Sequence, residues 1–313
     1  MVMIDPFFHD KASKRARLAN GILPFVGKPV LGYFPLFGPT FKLLTLADKV
    51  GEMKPVAKGL YQQTFEIGGN KAHLFTPKHL SSNDLVIYFH GGAYLAGGLG
   101  THKIFVEHLA LKAGARVLNL AYRQYPKAKL ATSAEDCIAA VRWAIETGWE
   151  PENIIVAGDS AGGGLAVTVA GTLAAEGIKL HKVVSISGWL DFSSDEKKES
   201  RWVSEDAYIP LRRLDYVAAM VNGGPLKESD SPITHIDENF PDLLLICGAR
   251  EILRVDSDKA YSICVGHDIP VELHYFRSGI HAFPVATNLF PESAEALDVI
   301  NEFINRKDLP MDA

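Results

Sequence analysis

The chain is poor in cysteine: three in 313 residues, Cys137, Cys247 and Cys264, an odd number with no CxxC spacing. That argues against a disulfide framework or a structural zinc site and fits a reducing, cytoplasmic setting. There is no cationic excess either. The net charge is −5, which leaves no electrostatic case for nucleic acid as a partner and points to a small, roughly neutral one. HExxH, a P-loop and a GxGxxG opening a helix after the first strand are all missing, so no metal or organic cofactor is implied. The start, MVMIDPFFHDKASKRARLAN, lacks the apolar run of a signal peptide. The strongly apolar stretch 21–46 is interrupted by Pro24, Pro29, Pro35 and Pro39, which excludes a spanning helix there.

Apolar residues nevertheless make up 47% of the chain, enough for a large core. From about residue 61 short apolar runs alternate with longer amphipathic ones. Strands are expected at 61–67, 72–76, 85–90, 116–121, 154–158, 183–188, 243–248 and 271–276, eight in all. The middle runs are continuously apolar, as parallel strands covered on both faces must be. Helices are expected at 101–113, 133–147, 161–176, 257–266 and 293–305; in the second, Ala134, Ile138, Val141 and Ile145 share one face. This alternation reads as α/β, a mainly parallel sheet with helices on both faces and its site at the carboxyl ends of the strands. Two segments fall outside the alternation: 1–55, with no strand of the sheet, and 192–240, with a helix at 211–221. Both are expected to form a helical cap over a catalytic domain spanning 56–313.

Residues 158–162, Gly-Asp-Ser-Ala-Gly, match GxSxG. Alone the match is weak, since about one chain in ten of this length would contain it by chance. Its context is specific: the strand 154–158 ends at the motif and a helix begins right after Ser160. A strand–serine–helix turn strains the backbone and needs small neighbours, which Gly158, Ala161, Gly162 and Gly163 supply. A second apolar strand ends in His-Gly-Gly-Ala-Tyr at 90–94, where glycines let backbone N–H groups approach a developing oxyanion. His90 reads better as a brace of this loop than as a catalytic group.

HGGAY at 90–94 and GDSAGG at 158–163 together resemble the hormone-sensitive-lipase-like carboxylesterases of the α/β-hydrolase superfamily; YRQYP at 122–126 and SGWLDFS at 187–193 extend the resemblance. It runs from about residue 60 to the C-terminus. It implies an α/β-hydrolase fold and hydrolysis of short- to medium-chain acyl esters through an acyl-enzyme. The same resemblance implies an oxyanion hole from the N–H groups of Gly92, Ala93 and Ala161, with Gly91 adjacent. Ala93 replaces the usual third glycine and can serve if its φ is not positive.

A serine hydroxyl needs a base. Of eleven histidines, His281 alone lies in a loop between the last strand and the last helix, in the chain order serine, acid, histidine. The acid should follow the strand 243–248. Glu251, three residues past Gly248, is favoured over its rival Asp256, although most relatives carry Asp at this point. Lactone hydrolysis and deacetylation of a small natural product share this triad. A non-catalytic receptor on the same fold would be expected to have lost a triad member. The aromatics Phe7, Phe8, Phe25, Tyr33, Phe34, Phe37 and Phe41 make residues 1–50 a candidate lid, with peripheral membrane contact through Lys11, Lys14, Arg15 and Arg17 as the rival. A homodimer is compatible with the sequence.

Overall fold

A computed structural model describes residues 5–33, 35–36 and 38–306. Phe34 and Phe37 therefore lie outside the described residues. The chain opens with strand β1 (Phe7–His9) and helices α1 (Lys14–Ile22), α2 (Gly27–Tyr33) and α3 (Gly38–Glu52). Strands β2 (Leu60–Ile67), β3 (Asn70–Pro77) and β4 (Leu85–Phe89) follow, then α4 (Lys103–Ala113), β5 (Arg116–Leu120) and α5 (Leu130–Glu146). Next come β6 (Ile154–Asp159), α6 (Ala161–Ala175) and β7 (Lys182–Ile186). Helices α7 (Asp195–Glu199), α8 (Trp202–Glu205) and α9 (Leu211–Asn222) precede β8 (Asp242–Gly248), α10 (Arg254–Gly266), β9 (Val271–Phe276) and α11 (Pro291–Asn305).

The strands form one sheet in the order β1-β9-β8-β7-β6-β4-β5-β3-β2. Only β3 is reversed, pairing antiparallel with both β2 and β5, and every other pairing is parallel. Residue parity sorts the core into two layers, because successive strand side chains point to opposite faces. Ile154 and Val156 of β6 pack with α5, α6 and α10, whereas Ile155 and Ala157 face α4 and α11. Both sets are fully buried, which is why these strands read as unbroken apolar runs.

The sheet has nine strands, not the expected eight. The ninth is β1, in the segment expected to contribute none; it runs parallel to β9 with Phe7 opposite His274 and His9 opposite Phe276. Three residues are too few for a periodic signal. Ring stacking holds the strand instead: Phe7 lies 4.4 Å from His274 and His9 lies 4.0 Å from Phe276. The prolines of 21–46 punctuate rather than destroy helix. Pro24 and Pro35 fall between helices, and Pro29 and Pro39 sit in the first turns of α2 and α3, where the missing N–H is not needed. Among the described residues no helix is long and apolar enough to cross a membrane.

Candidate active site

Ser160 stands between β6 and α6 with φ 53° and ψ −120°, outside the regions a serine normally occupies. Such a conformation costs about 1–3 kcal/mol and survives only where its surroundings enforce it. Here the Ser160 N–H donates to Ile186 O at 2.8 Å, and the Trp189 N–H donates to Ser160 O at 3.0 Å. The turn also needs missing side chains. A Cβ at Gly158 would lie 2.3 Å from Gly162 O, and one at Gly162 would lie 1.9 Å from Phe89 O.

His281, on the loop after β9, brings Nε2 to 2.9 Å from Ser160 Oγ. Its Nδ1 lies 2.8 Å from Glu251 Oε2. The other carboxylate oxygen of Glu251 accepts the Gly248 N–H at 2.8 Å and the Ser187 hydroxyl at 2.7 Å. Glu251 is 2% exposed, so its charge acts on His281 with little screening. Burial works against protonating the imidazole, but the hydrogen bond and charge of Glu251, aided by Asp206 and Asp159, raise His281 above its usual value. Asp256 is engaged elsewhere: Oδ2 accepts the Leu190 and Asp191 N–H groups, and Oδ1 meets Lys197 Nζ at 2.5 Å. The structure thus brings Ser160, His281 and Glu251 together and leaves Asp256 out.

In the HGGA loop the Gly91 N–H, adjacent to the expected oxyanion donors, donates to Asp159 Oδ1 at 2.8 Å and anchors the loop. Ala93 has φ 56°, the positive value that its suitability was expected to exclude. A non-glycine residue there costs about 1–2 kcal/mol, tolerated because the loop closes on itself through Leu95 and Ala96 N–H groups bonded to Gly92 O. The amides of Gly92, Ala93 and Ala161 donate to no acceptor among the described residues. His90 is a brace, as expected: its ring stacks 4.3 Å from Tyr122, its Nδ1 lies 2.9 Å from Gly91 O, and burial lowers it to about 4, keeping it neutral.

Ser160 and His281 open into a cavity of about 700 Å³. Leu23, Leu31, Leu36 and Leu44 line it from the first helical segment, and Leu214 and Val217 line it from α9. Among the described residues no cluster of His, Cys, Asp or Glu could hold a metal ion.

The α/β-hydrolase-fold family matches residues 86–285, which contain every residue of this constellation. Esterase LipU of Mycobacterium tuberculosis is 33% identical over 227 residues, 70% of this chain and 76% of LipU. The chain belongs to the hormone-sensitive-lipase-like carboxylesterases. Carboxylesterase/phospholipase LipF of the same organism is 32% identical over 229 residues, 70% of this chain but 61% of LipF. The crystal structure of an esterase from the bacterial hormone-sensitive lipase family superposes with a TM-score of 0.81 at 25% identity, covering 94% of this chain and 98% of that one.

Four supporting residues of this carboxylic ester hydrolase escaped the sequence reading. Ser187, itself at φ 48°, donates to Glu251 and accepts the Ala282 N–H at 3.0 Å, tying the acid to the histidine loop. Asp206 accepts the N–H groups of Tyr208 at 2.6 Å and Ile252 at 2.7 Å, fixing the cap segment to the Glu251 loop and stacking Tyr208 over His281. Asp159 collects the Tyr88 hydroxyl, the Gly91 N–H and His102 Nε2. Burial would raise its carboxyl, but these partners hold it at about 2. Asp48 of α3 accepts the Gly100 N–H at 2.9 Å and the Thr101 N–H at 2.8 Å. There α3 crosses the loop so closely that a Cβ on Gly51 would lie 2.5 Å from Gly100 O. Asp159 and Ser187 lie inside motifs already singled out. Asp48 and Asp206 carry no local signal.

Proposed function

We propose that the esterase hydrolyses short- to medium-chain acyl esters through an acyl-enzyme on Ser160. Ser160 Oγ attacks the ester carbonyl while its proton passes to His281 Nε2, and Glu251 stabilises the imidazolium. The carbonyl oxygen, now negative, accepts hydrogen bonds from the N–H groups of Gly92, Ala93 and Ala161. Collapse expels the alcohol, which takes the proton from His281. Water then repeats the sequence on the acyl-enzyme, releasing the acid and restoring Ser160.

The observation carrying this reading is the unbroken chain of short contacts from Ser160 through His281 to Glu251 at the cavity wall. Residues 1–55 and 192–240 act as the cap, with Leu23, Leu31, Leu36 and Leu44 shaping an apolar acyl site. Three free, buried cysteines support a cytoplasmic location; a homodimer is retained as an assembly to test. A fluorophosphonate probe should label Ser160 covalently. Ser160→Ala and His281→Ala should each lower kcat by about 10⁴–10⁶, with little further loss in the double variant. Labelling elsewhere, or additive losses, would overturn the assignment.

A further inference from the structure

The outward face of α3 is built unlike the surface of a free soluble helix. Leu43, Leu46 and Val50, with Met53 in the next turn, recur at helical spacing and are 61%, 57%, 58% and 84% exposed. They lie opposite Thr40, Leu44, Asp48 and Gly51, the positions turned to the rest of the protein. The helix thus turns its polar Thr40 and Asp48 inward beside Leu44 and presents its larger apolar side chains outward. Leu18 and Ile22 of α1, Phe25 in the turn that follows and Val30 of α2 are exposed as well. A patch of this kind on a monomer marks an interaction surface.

Charge indicates what meets it. Residues 11–58 hold nine lysines and arginines against Asp48 and Glu52, a net +7 in a chain whose total is −5. Both carboxylates are used inside the protein, Asp48 on the Gly100 and Thr101 amides and Glu52 on Lys71 and His73. Lys11, Lys14, Arg15, Arg17, Lys42, Lys49, Lys54 and Lys58 are exposed. By helical spacing Lys42 and Lys49 flank the Leu43–Leu46–Val50 stripe. Exposed aliphatic and aromatic side chains set among cations fit an interface whose outer layer is anionic and whose interior is apolar.

We infer that α1–α3 form a docking face for anionic lipid surfaces, presenting the cavity side of the esterase to the bilayer. A second copy of the chain fits less well, because pairing two such faces would oppose like charges. The test is flotation of the full chain with phosphatidylcholine vesicles, with and without 30% phosphatidylglycerol. Binding should require phosphatidylglycerol and weaken as salt rises, since screening shortens the reach of each cation. Lys42→Gln with Lys49→Gln should weaken it about thirtyfold, roughly fivefold per cation removed. Leu46→Glu with Val50→Glu should abolish it. Neither pair lines the cavity, so hydrolysis of a soluble ester should be unchanged, separating this inference from the assignment of the triad. Three results would overturn it: no flotation with either vesicle, equal binding to both, or a dimer in sedimentation that the Leu46→Glu/Val50→Glu pair disrupts.

Discussion

Replacing Glu251 by glutamine removes one charge while keeping the shape, and the surrounding bonds dictate the result. Oε1 accepts from the Gly248 amide, which can only donate, and Oε2 accepts from His281 Nδ1. An amide has one accepting end. If its NH₂ turns to Gly248, two donors face each other in a buried site. If it turns to His281, the ring must present a lone pair at Nδ1 and carry its proton on Nε2, toward Ser160, where it cannot serve as base. A loss of about 10²–10⁴ in kcat follows, with substrate binding little changed. The pH profile should move too. Only neutral His281 can take a proton, so wild-type kcat/KM should rise with pH through a midpoint above the ordinary value of roughly 6.5. Burial lowers this histidine and Glu251 is the main group raising it, so the Glu251→Gln limb should move down. Steady-state hydrolysis of p-nitrophenyl butyrate from pH 5 to 9, with circular dichroism to verify folding, measures both. A loss below tenfold, an unmoved limb, or a larger kcat loss per folded molecule in Asp256→Asn would refute the reasoning. The Asp256 change should act on stability instead, because it leaves Lys197 buried without its charge partner.

Ala93→Gly should relieve the positive φ and leave urea stability level or raised by up to about 1 kcal/mol, the glycine's greater freedom when unfolded offsetting part of the gain. Asp159→Asn should destabilise the fold most at neutral pH. A carboxyl held at about 2 stabilises once pH exceeds its unfolded value and loses that effect as pH falls toward 2, so the ionisation-linked part of the gap in urea unfolding should shrink by about half at pH 3. Leu44→Trp should fill part of the cavity and shift selectivity from octanoate toward acetate esters; unchanged selectivity in a folded protein would refute the cap's role in the acyl site. Deleting residues 1–45 is a poorer test, because it also strips β1 from the edge of β9.

Much of this architecture was legible because the strands are buried on both faces. Leu85–Phe89 and Ile154–Asp159 announce themselves as apolar runs whose ends mark the site. Ser160 and His281 were readable from strand ends and chain order. Glu251 and Asp256 both follow β8 closely, so position along the chain does not separate them. What separates them is Lys197, distant in sequence, which neutralises Asp256 inside the protein. The anchoring of the Gly91 amide was hidden for a similar reason: its acceptor, Asp159, is 68 residues away. The first fifty residues hid their helices because the prolines that start and separate them look, in a sequence, like the end of regular structure.

The crossing of Gly51 over Gly100 makes the cap a mechanical extension of the catalytic loop. With no side chain on either glycine and the Asp48 carboxylate clasping the Gly100 and Thr101 amides, there is no cushion to absorb a shift of α3. From Thr101 the strain runs through His102 to Asp159 and so to the Gly91 amide, next to the Gly92 and Ala93 amides proposed to hold the oxyanion. A displacement of α3, whether from an acyl chain pressing on Leu44 within or from a surface pressing on Leu46 without, is expected to move that loop with it. Changes that displace α3, unlike substitutions confined to its outer face, should register in kcat as well as in KM.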